Sequence, residues 1–313
     1  MKLRIHNPCN EETRYYRNYN LFWDDITDSL KQRYQIVENR YYKDANRSRF
    51  QVNFDSLQNK NGLFLMECEY VIENMDNGDF YVLSVADNLS QAMLSEQNNP
   101  KLKKVLISQF IDYEIKHHVR DNFSKYHPWI YFPMNLTDLE YYYNERNKKT
   151  NLIDKLYFRG NTRERPILQH FDSKTLEGPY YTGDSKKYFD ELINYSVALS
   201  IAGVGEICYR DIECMAIGVP ILRFEYQSKF YEPLIPNYHY ISIPYDNSIP
   251  KHNGVHTDRL GEHIHAKKLE QRFNEVINDK QFLNFISKNA RKYYEDNLSP
   301  KTRVEKTLSI LEL

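Results

Sequence analysis

No run of this sequence is long and apolar enough to span a bilayer, and the N-terminal MKLRIHNPCN lacks the apolar centre of a secretory signal. A soluble, cytoplasmic protein without a transmembrane segment is therefore expected. Cysteine is scarce. Cys9, Cys68, Cys208 and Cys214 include no C-x-x-C pair and no disulfide framework, and the latter two lie in an apolar segment as buried thiols. Excess positive charge is missing as well. With 42 Lys and Arg against 43 Asp and Glu, net charge is −1, so no basic field recruits nucleic acid. No G-x-S-x-G elbow is present, which disfavours a serine hydrolase.

What is present is an ordinary soluble composition, 41% hydrophobic and 27% charged, over 313 residues, enough for two domains. Strand-like runs at 3–5, 34–37, 63–72, 80–85, 104–110 and 129–132 are interspersed with helical patterns at 20–33 and 90–95. Asn77–Gly78 marks a turn, and 44–61 reads as a loop. After a polar, helical or irregular connection at 135–154 the alternation resumes, with strands at 156–158, 197–201, 221–224 and 240–243. Helices are expected at 185–194, 266–276, 280–294 and 301–311, with Asp279 and Ser299 as N-caps. The class is α/β, with mostly parallel sheets covered by helices in two similar halves, 1–150 and 151–313.

The segment Leu199 to Leu222, LSIAGVGEICYRDIECMAIGVPIL, concentrates the chemistry. A strand runs into Gly203-Val204-Gly205, a helix carries Arg210 and Glu213, Gly218 ends it, and Pro220 opens the next strand. A glycine turn before a helix N-terminus favours an anion such as a diphosphate, because free N–H groups and the helix dipole point at it. The spacing after Gly205 does not fit the G-x-G-x-x-G dinucleotide fingerprint. Arg210 and Glu213 share a helix face, so one could grip a diphosphate while the other accepts hydrogen bonds from a ribose. A salt bridge between them is the structural alternative.

A second segment, LYFRGNTRER at 156–165, places Arg159 and Gly160 at the end of a strand, with Arg163 and Arg165 just beyond as further phosphate ligands or as solvated loop charges. Together, F-R-G followed by arginines and the pattern G…R…E…G-x-P resemble a glycosyltransferase of the GT-B fold. They are similar to the protein O-glucosyltransferase and fungal capsule xylosyltransferase family and to exostosin-like transferases, over residues 156–244. That resemblance implies two Rossmann-like domains with a cleft between them, the C-terminal one holding the nucleotide-sugar donor, and a last helix that crosses back. It implies inverting transfer of a sugar such as xylose or glucose, from a UDP-linked donor, to a hydroxyl of a glycan or protein acceptor in glycan biosynthesis. It places Arg159, Gly160, Arg163, Arg165, Gly203, Val204, Gly205, Tyr209, Arg210 and Glu213 around the donor.

In such enzymes arginines and helix N-termini stabilise the leaving diphosphate, and no metal or tightly bound cofactor is required. The absence of a D-x-D motif agrees. His117–His118 and His263-Ile-His265 are weak alternatives as metal ligands. The missing secretory signal points to a bacterial or viral relative. The base that deprotonates the acceptor belongs on the N-terminal half, where Asp87 follows a buried strand; an N-cap role is its alternative. Asp112 is the second carboxylate, and His6, at the end of the first strand, is a base or an acceptor contact. A nucleotide-sugar epimerase and a non-catalytic sugar-binding or scaffolding protein are the competing readings.

Overall fold

The computed structural model describes residues 1–7, 17–41, 50–65, 69–85, 94–108, 110–129, 139–160, 162, 165–178, 185–202, 206–245 and 262–313. The chain forms two compact units. Unit 1 comprises Met1–Met134, Ser228–Tyr231 and Arg303–Leu313; unit 2 comprises Asn135–Gln227 and Glu232–Thr302. Each has its own sheet, and the class is α/β as the alternation indicated.

In unit 1 the elements are β1 (Lys2–Asn7), α1 (Arg17–Arg33), β2 (Gln35–Tyr41), β3 (Phe50–Val52), β4 (Leu63–Leu65), β5 (Glu69–Asn74), β6 (Phe80–Ser84), β7 (Leu102–Ile107), α2 (Asp112–Val119) and β8 (Tyr126–Pro128). Six strands form one sheet in the order β2-β1-β5-β6-β7-β8. It is mostly parallel, as expected, with one reversed strand. β5 runs antiparallel to both β1 and β6. The cause is the Asn77–Gly78 turn, which joins β5 to β6 over too few residues for a parallel crossover, and Gly78 takes a left-handed φ of 76°. The single strand expected at 63–72 is divided. β4 pairs with β3, inside the segment read as a loop, while β5 joins the main sheet. Of the strand expected at 129–132 only Trp129 is described, buried just past β8; residues 130–132 lie outside the described residues.

Unit 1 buries Val71, Phe80, Val82, Val105, Ile107, Phe110 and Ile115 in one cluster. Ile26 and Leu30 of α1 are fully buried, and Thr27 Oγ1 shares a 2.6 Å hydrogen bond with Tyr70 OH. The last helix, α8 (Pro300–Leu311), contributes Leu308 and Leu311, both wholly buried. Trp129 Nε1 donates to Thr307 Oγ1 at 3.0 Å, and Lys104 Nζ donates to the Ile310 carbonyl at 2.7 Å.

Unit 2 contains α3 (Leu139–Asn147), β9 (Ile153–Tyr157), β10 (Leu176–Glu177), α4 (Ser185–Leu192), β11 (Tyr195–Leu199), α5 (Tyr209–Ile217), β12 (Ile221–Phe224), β13 (Ile241–Ile243), α6 (Glu262–Val276) and α7 (Lys280–Tyr293). Its five strands are all parallel, in the order β10-β9-β11-β12-β13. Val197, Ala198 and Leu199 of β11 are fully buried, as an apolar strand covered on both faces requires. The connection at 135–154, expected to be helical or irregular, is helical over its described first part. It forms α3, whose Arg146 donates to the carbonyls of Gly218 at 3.1 Å and Tyr195 at 2.7 Å. Asp279 caps α7, accepting from Phe282 N at 2.9 Å.

Candidate functional site

The strand order of unit 2 fixes where a ligand would sit. Counted along the chain, the sheet reads 2-1-3-4-5, so successive connections leave β9 and β11 toward opposite sides. Between such strands the loops at the carboxyl edge diverge and open a crevice. At that edge β9 leads into Phe158, Arg159 and Gly160, and β11 leads into Ser200 and then the N-terminus of α5. The two segments singled out in the sequence therefore meet at one place, although 51 residues separate Arg159 from Arg210. Arg163, Gly203, Val204, Gly205 and Asp87 lie outside the described residues.

Arg210 is the centre of the cluster. Only 8% of it is exposed. Its guanidinium lies over the Phe158 ring, 4.1 Å from the centroid, and Nη2 donates to the Arg159 carbonyl. The remaining edge, Nε and Nη1, is buried and has no hydrogen-bond partner among the described residues. Each buried donor left unpaired costs about 1–3 kcal/mol, so a native fold rarely keeps two on one side chain without a ligand or water to accept from them. Gly160 makes this placement possible, since a Cβ there would come within 2.8 Å of Arg210 Nη2.

Arg165 adds a second cation. Its guanidinium is 5.8 Å from the centroid of the same Phe158 ring, and Nε donates to the Ile201 carbonyl at 3.0 Å. Arg159 turns elsewhere. Its Nε and Nη2 both reach Glu191 Oε2 at 3.0 Å, and Tyr157 OH donates to the same oxygen at 2.9 Å. What Arg159 offers Arg210 is therefore its carbonyl. Tyr209 opens α5 and is half-buried.

Glu213 follows Arg210 by nearly one helical turn and is half-buried. Among the described residues the Arg210 guanidinium bonds the Arg159 carbonyl and not Glu213. Burial pushes the Glu213 carboxyl up to about 7, against the pull of Arg210 and the Tyr188 hydroxyl, with Asp211 adding to the rise. The site thus pairs an under-satisfied cation with a carboxylate that gains from any hydroxyl donating to it. Cys208, half-buried, and Cys214, buried, are free thiols, and burial raises both.

Beneath these groups lies a network that sequence reasoning missed. Asp211, with no exposed surface, accepts from Cys208 N at 2.8 Å and Arg223 Nη1 at 2.8 Å, and Ser200 Oγ donates to its other oxygen. Two signals could have revealed it: an Asp at the third position after a helix N-cap, and a charged residue in the otherwise apolar strand ILRF.

The unit 1 candidates have surroundings of their own. His6 is fully buried in β1, 3.3 Å from Glu73 Oε2, with its ring stacked on Phe54 at 5.1 Å. Arg4 Nη1 shares that Glu73 oxygen at 3.0 Å. Asp112 begins α2, bonds Lys229 Nζ at 2.6 Å through Oδ2, and has a buried, unpartnered Oδ1. Among the described residues no group of three or more His, Cys, Asp and Glu gathers in a way that could hold a metal ion. His265 packs on Phe224, and His263 faces His170. No described helix is long and apolar enough to cross a membrane.

No family model and no curated protein matches the chain. Solved structures match it at low identity. Anabaena HepE in complex with UDP-glucose is 8% identical with a TM-score of 0.42, over 71% of this chain and 66% of that one. The pneumococcal O-GlcNAc transferase GtfA in complex with UDP and GlcNAc is 11% identical with a TM-score of 0.40, over 73% of this chain and 49% of that one. WaaG, a glycosyltransferase involved in lipopolysaccharide biosynthesis, is 10% identical with a TM-score of 0.40, over 97% and 85%. The chain thus spans just under two thirds of HepE and about half of GtfA. At these levels the likeness is one of general architecture.

Proposed function

We propose that the protein is a nucleotide-sugar glycosyltransferase of the GT-B type and that unit 2 binds its donor. One observation carries this reading: the buried Arg210 guanidinium at the switch point of a parallel sheet, with two donors unsatisfied. A diphosphate supplies acceptors to both, and the planar fork of arginine suits bidentate bonding to phosphate oxygens. Arg165 adds charge, and the N-terminus of α5 adds its dipole. Glu213 accepts from the ribose hydroxyls. Arg159, held by Glu191, supports Arg210 through its carbonyl. Arg163, Gly203, Val204 and Gly205 complete the donor set on the sequence resemblance, with Tyr209 beside them.

In the reaction the acceptor oxygen attacks the anomeric carbon as the bond to the β-phosphate oxygen breaks. Negative charge develops on the departing diphosphate, where fixed cations lower the barrier without reorganising. A carboxylate takes the acceptor proton. Asp87 is proposed for that role, with Asp112 as the other choice. His6, being enclosed, would act on the acceptor side only through the residues packed against it. The sequence resemblance favours a UDP-linked hexose or pentose, a glycan or protein hydroxyl as acceptor, inversion at the anomeric carbon and no metal requirement.

A thermal-shift screen against UDP, GDP, CMP and their sugar conjugates, with Mn²⁺ or with EDTA, tests the reading. Binding to the folded state stabilises it by about 2.7 kcal/mol at a hundredfold excess over Kd and so raises the melting temperature. A shift with a diphosphate nucleotide that survives EDTA is expected. No shift with any nucleotide at millimolar concentration would refute donor binding; a shift without sugar transfer to any acceptor would favour a binding protein.

A further inference from the structure

We propose that Asp211 and Arg223 form a positioning pair that aims Arg210, so that an enclosed ion pair sets the site's preference for a diphosphate over a bare nucleoside. The proposal rests on the donor reading above and extends it to residues that expose almost no surface. Asp211 and Arg223 are 0% and 3% exposed.

Three elements meet on the Asp211 carboxylate. Ser200, just past β11, donates to Oδ1; Cys208 N, at the N-cap of α5, donates to Oδ2 at 2.8 Å; and Arg223, from β12, donates to Oδ2 at 2.8 Å. Arg223 is fixed in turn. Its Nε donates to the Phe224 carbonyl at 3.0 Å and its Nη2 to the Glu206 carbonyl at 3.4 Å, and its guanidinium lies 3.3 Å from the Tyr226 ring centroid. Glu206 Oε1 accepts from Gln227 N at 2.6 Å, tying the approach to α5 to the exit from β12.

Arg210 precedes Asp211 directly on the first turn of α5. A shift of that turn would carry the Arg210 fork away from its seat on Phe158 and the Arg159 carbonyl. An ion pair buried this deeply is a poor stabiliser, because desolvation offsets its attraction, and apolar replacements are often neutral. What it supplies is a single geometry, here at the one turn whose orientation matters to the anion.

The test compares wild type with the double variant Asp211→Asn/Arg223→Met, which removes both charges together, and with the milder Arg223→Lys, which keeps a charge but loses the fork. Isothermal titration would give Kd for UDP and uridine, and for GDP and guanosine, alongside ligand-free melting temperatures. The expected result is a fall of tenfold or more in the diphosphate-to-nucleoside affinity ratio in a variant that still melts cooperatively, with nucleoside affinity retained. An unchanged ratio in a folded variant would overturn the proposal. So would parallel losses of diphosphate and nucleoside binding, which mark general damage, or unfolding of both variants, which assigns the pair to folding alone. A wild type that does not prefer either diphosphate to its nucleoside removes the donor reading itself, and this proposal with it.

Discussion

Arg210→Ala is expected to leave the ligand-free protein almost as stable as wild type while removing most of its affinity for a diphosphate. The substitution deletes the stacking contact with Phe158 at 4.1 Å, worth about 1–2 kcal/mol when desolvated. It also deletes the hydrogen bond from Nη2 to the Arg159 carbonyl, of the charged kind worth about 1.5–3 kcal/mol. On the other side it relieves two buried donors without partners, Nε and Nη1, at about 1–3 kcal/mol each. The terms nearly cancel, so the melting temperature should move by no more than about 5 °C, given roughly 2–4 °C per kcal/mol for domains of this size. Binding has no such offset. Loss of a buried charge partner costs about 2–5 kcal/mol, or roughly 30- to 4,000-fold in Kd. Thermal denaturation without ligand and titration calorimetry with UDP measure the two halves separately. Arg210→Lys should restore little, because an ammonium cannot present the fork. A variant that melts more than about 10 °C lower yet binds as before would refute the reasoning, since Arg210 would then be a structural residue.

Gly160→Ala probes the same seat from the opposite side. The new Cβ would lie 2.8 Å from Arg210 Nη2, so the guanidinium must move, and diphosphate affinity should drop by about 1–2 kcal/mol; the φ of 157° at this position adds backbone strain that lowers the melting temperature as well, and equal affinities in titration would contradict the close packing. Glu213→Gln addresses pH. Because burial raises the folded-state value from 4.5 to about 7, the stability linked to Glu213 is complete at pH 4.5 and lost as pH rises through 7. That linkage is worth at most about 3 kcal/mol. The variant should melt above wild type at pH 8, and the two curves should converge toward pH 5; parallel curves from pH 5 to 8 would show that Glu213 is not so perturbed.

The parallel half of the fold was readable because unit 2 spells it plainly. Its buried strands are short apolar runs, Gly218 closes α5 with a left-handed φ of 75°, and Pro220 follows. Arg210 and Glu213 stood out as charges in an apolar stretch. The reversed direction of β5 in unit 1 was not readable, since a period of two looks the same either way along the chain. The turn at Asn77–Gly78 was recognised, yet its consequence for β5 was not drawn. Nor does local sequence mark Glu69 and Glu73 as enclosed: all six residues of β5 are buried, and Glu73 is held by Arg4 and His6. The engagement of Arg159 by Glu191, and the meeting of Ser200, Asp211 and Arg223, depend on partners distant in sequence. No local pattern encodes which of several arginines finds a carboxylate and which is left over.

The composition of unit 1 has a consequence for how the protein is made. Its core is completed by Arg303–Leu313, through Leu308, Leu311 and the bond from Trp129 to Thr307. On a ribosome, the strands of unit 1 emerge first but must wait for the final helix until nearly all of unit 2 has been synthesised. During that interval the surfaces that α8 will cover stay bare, which makes the nascent N-terminal half the part of the chain most in need of protection from aggregation.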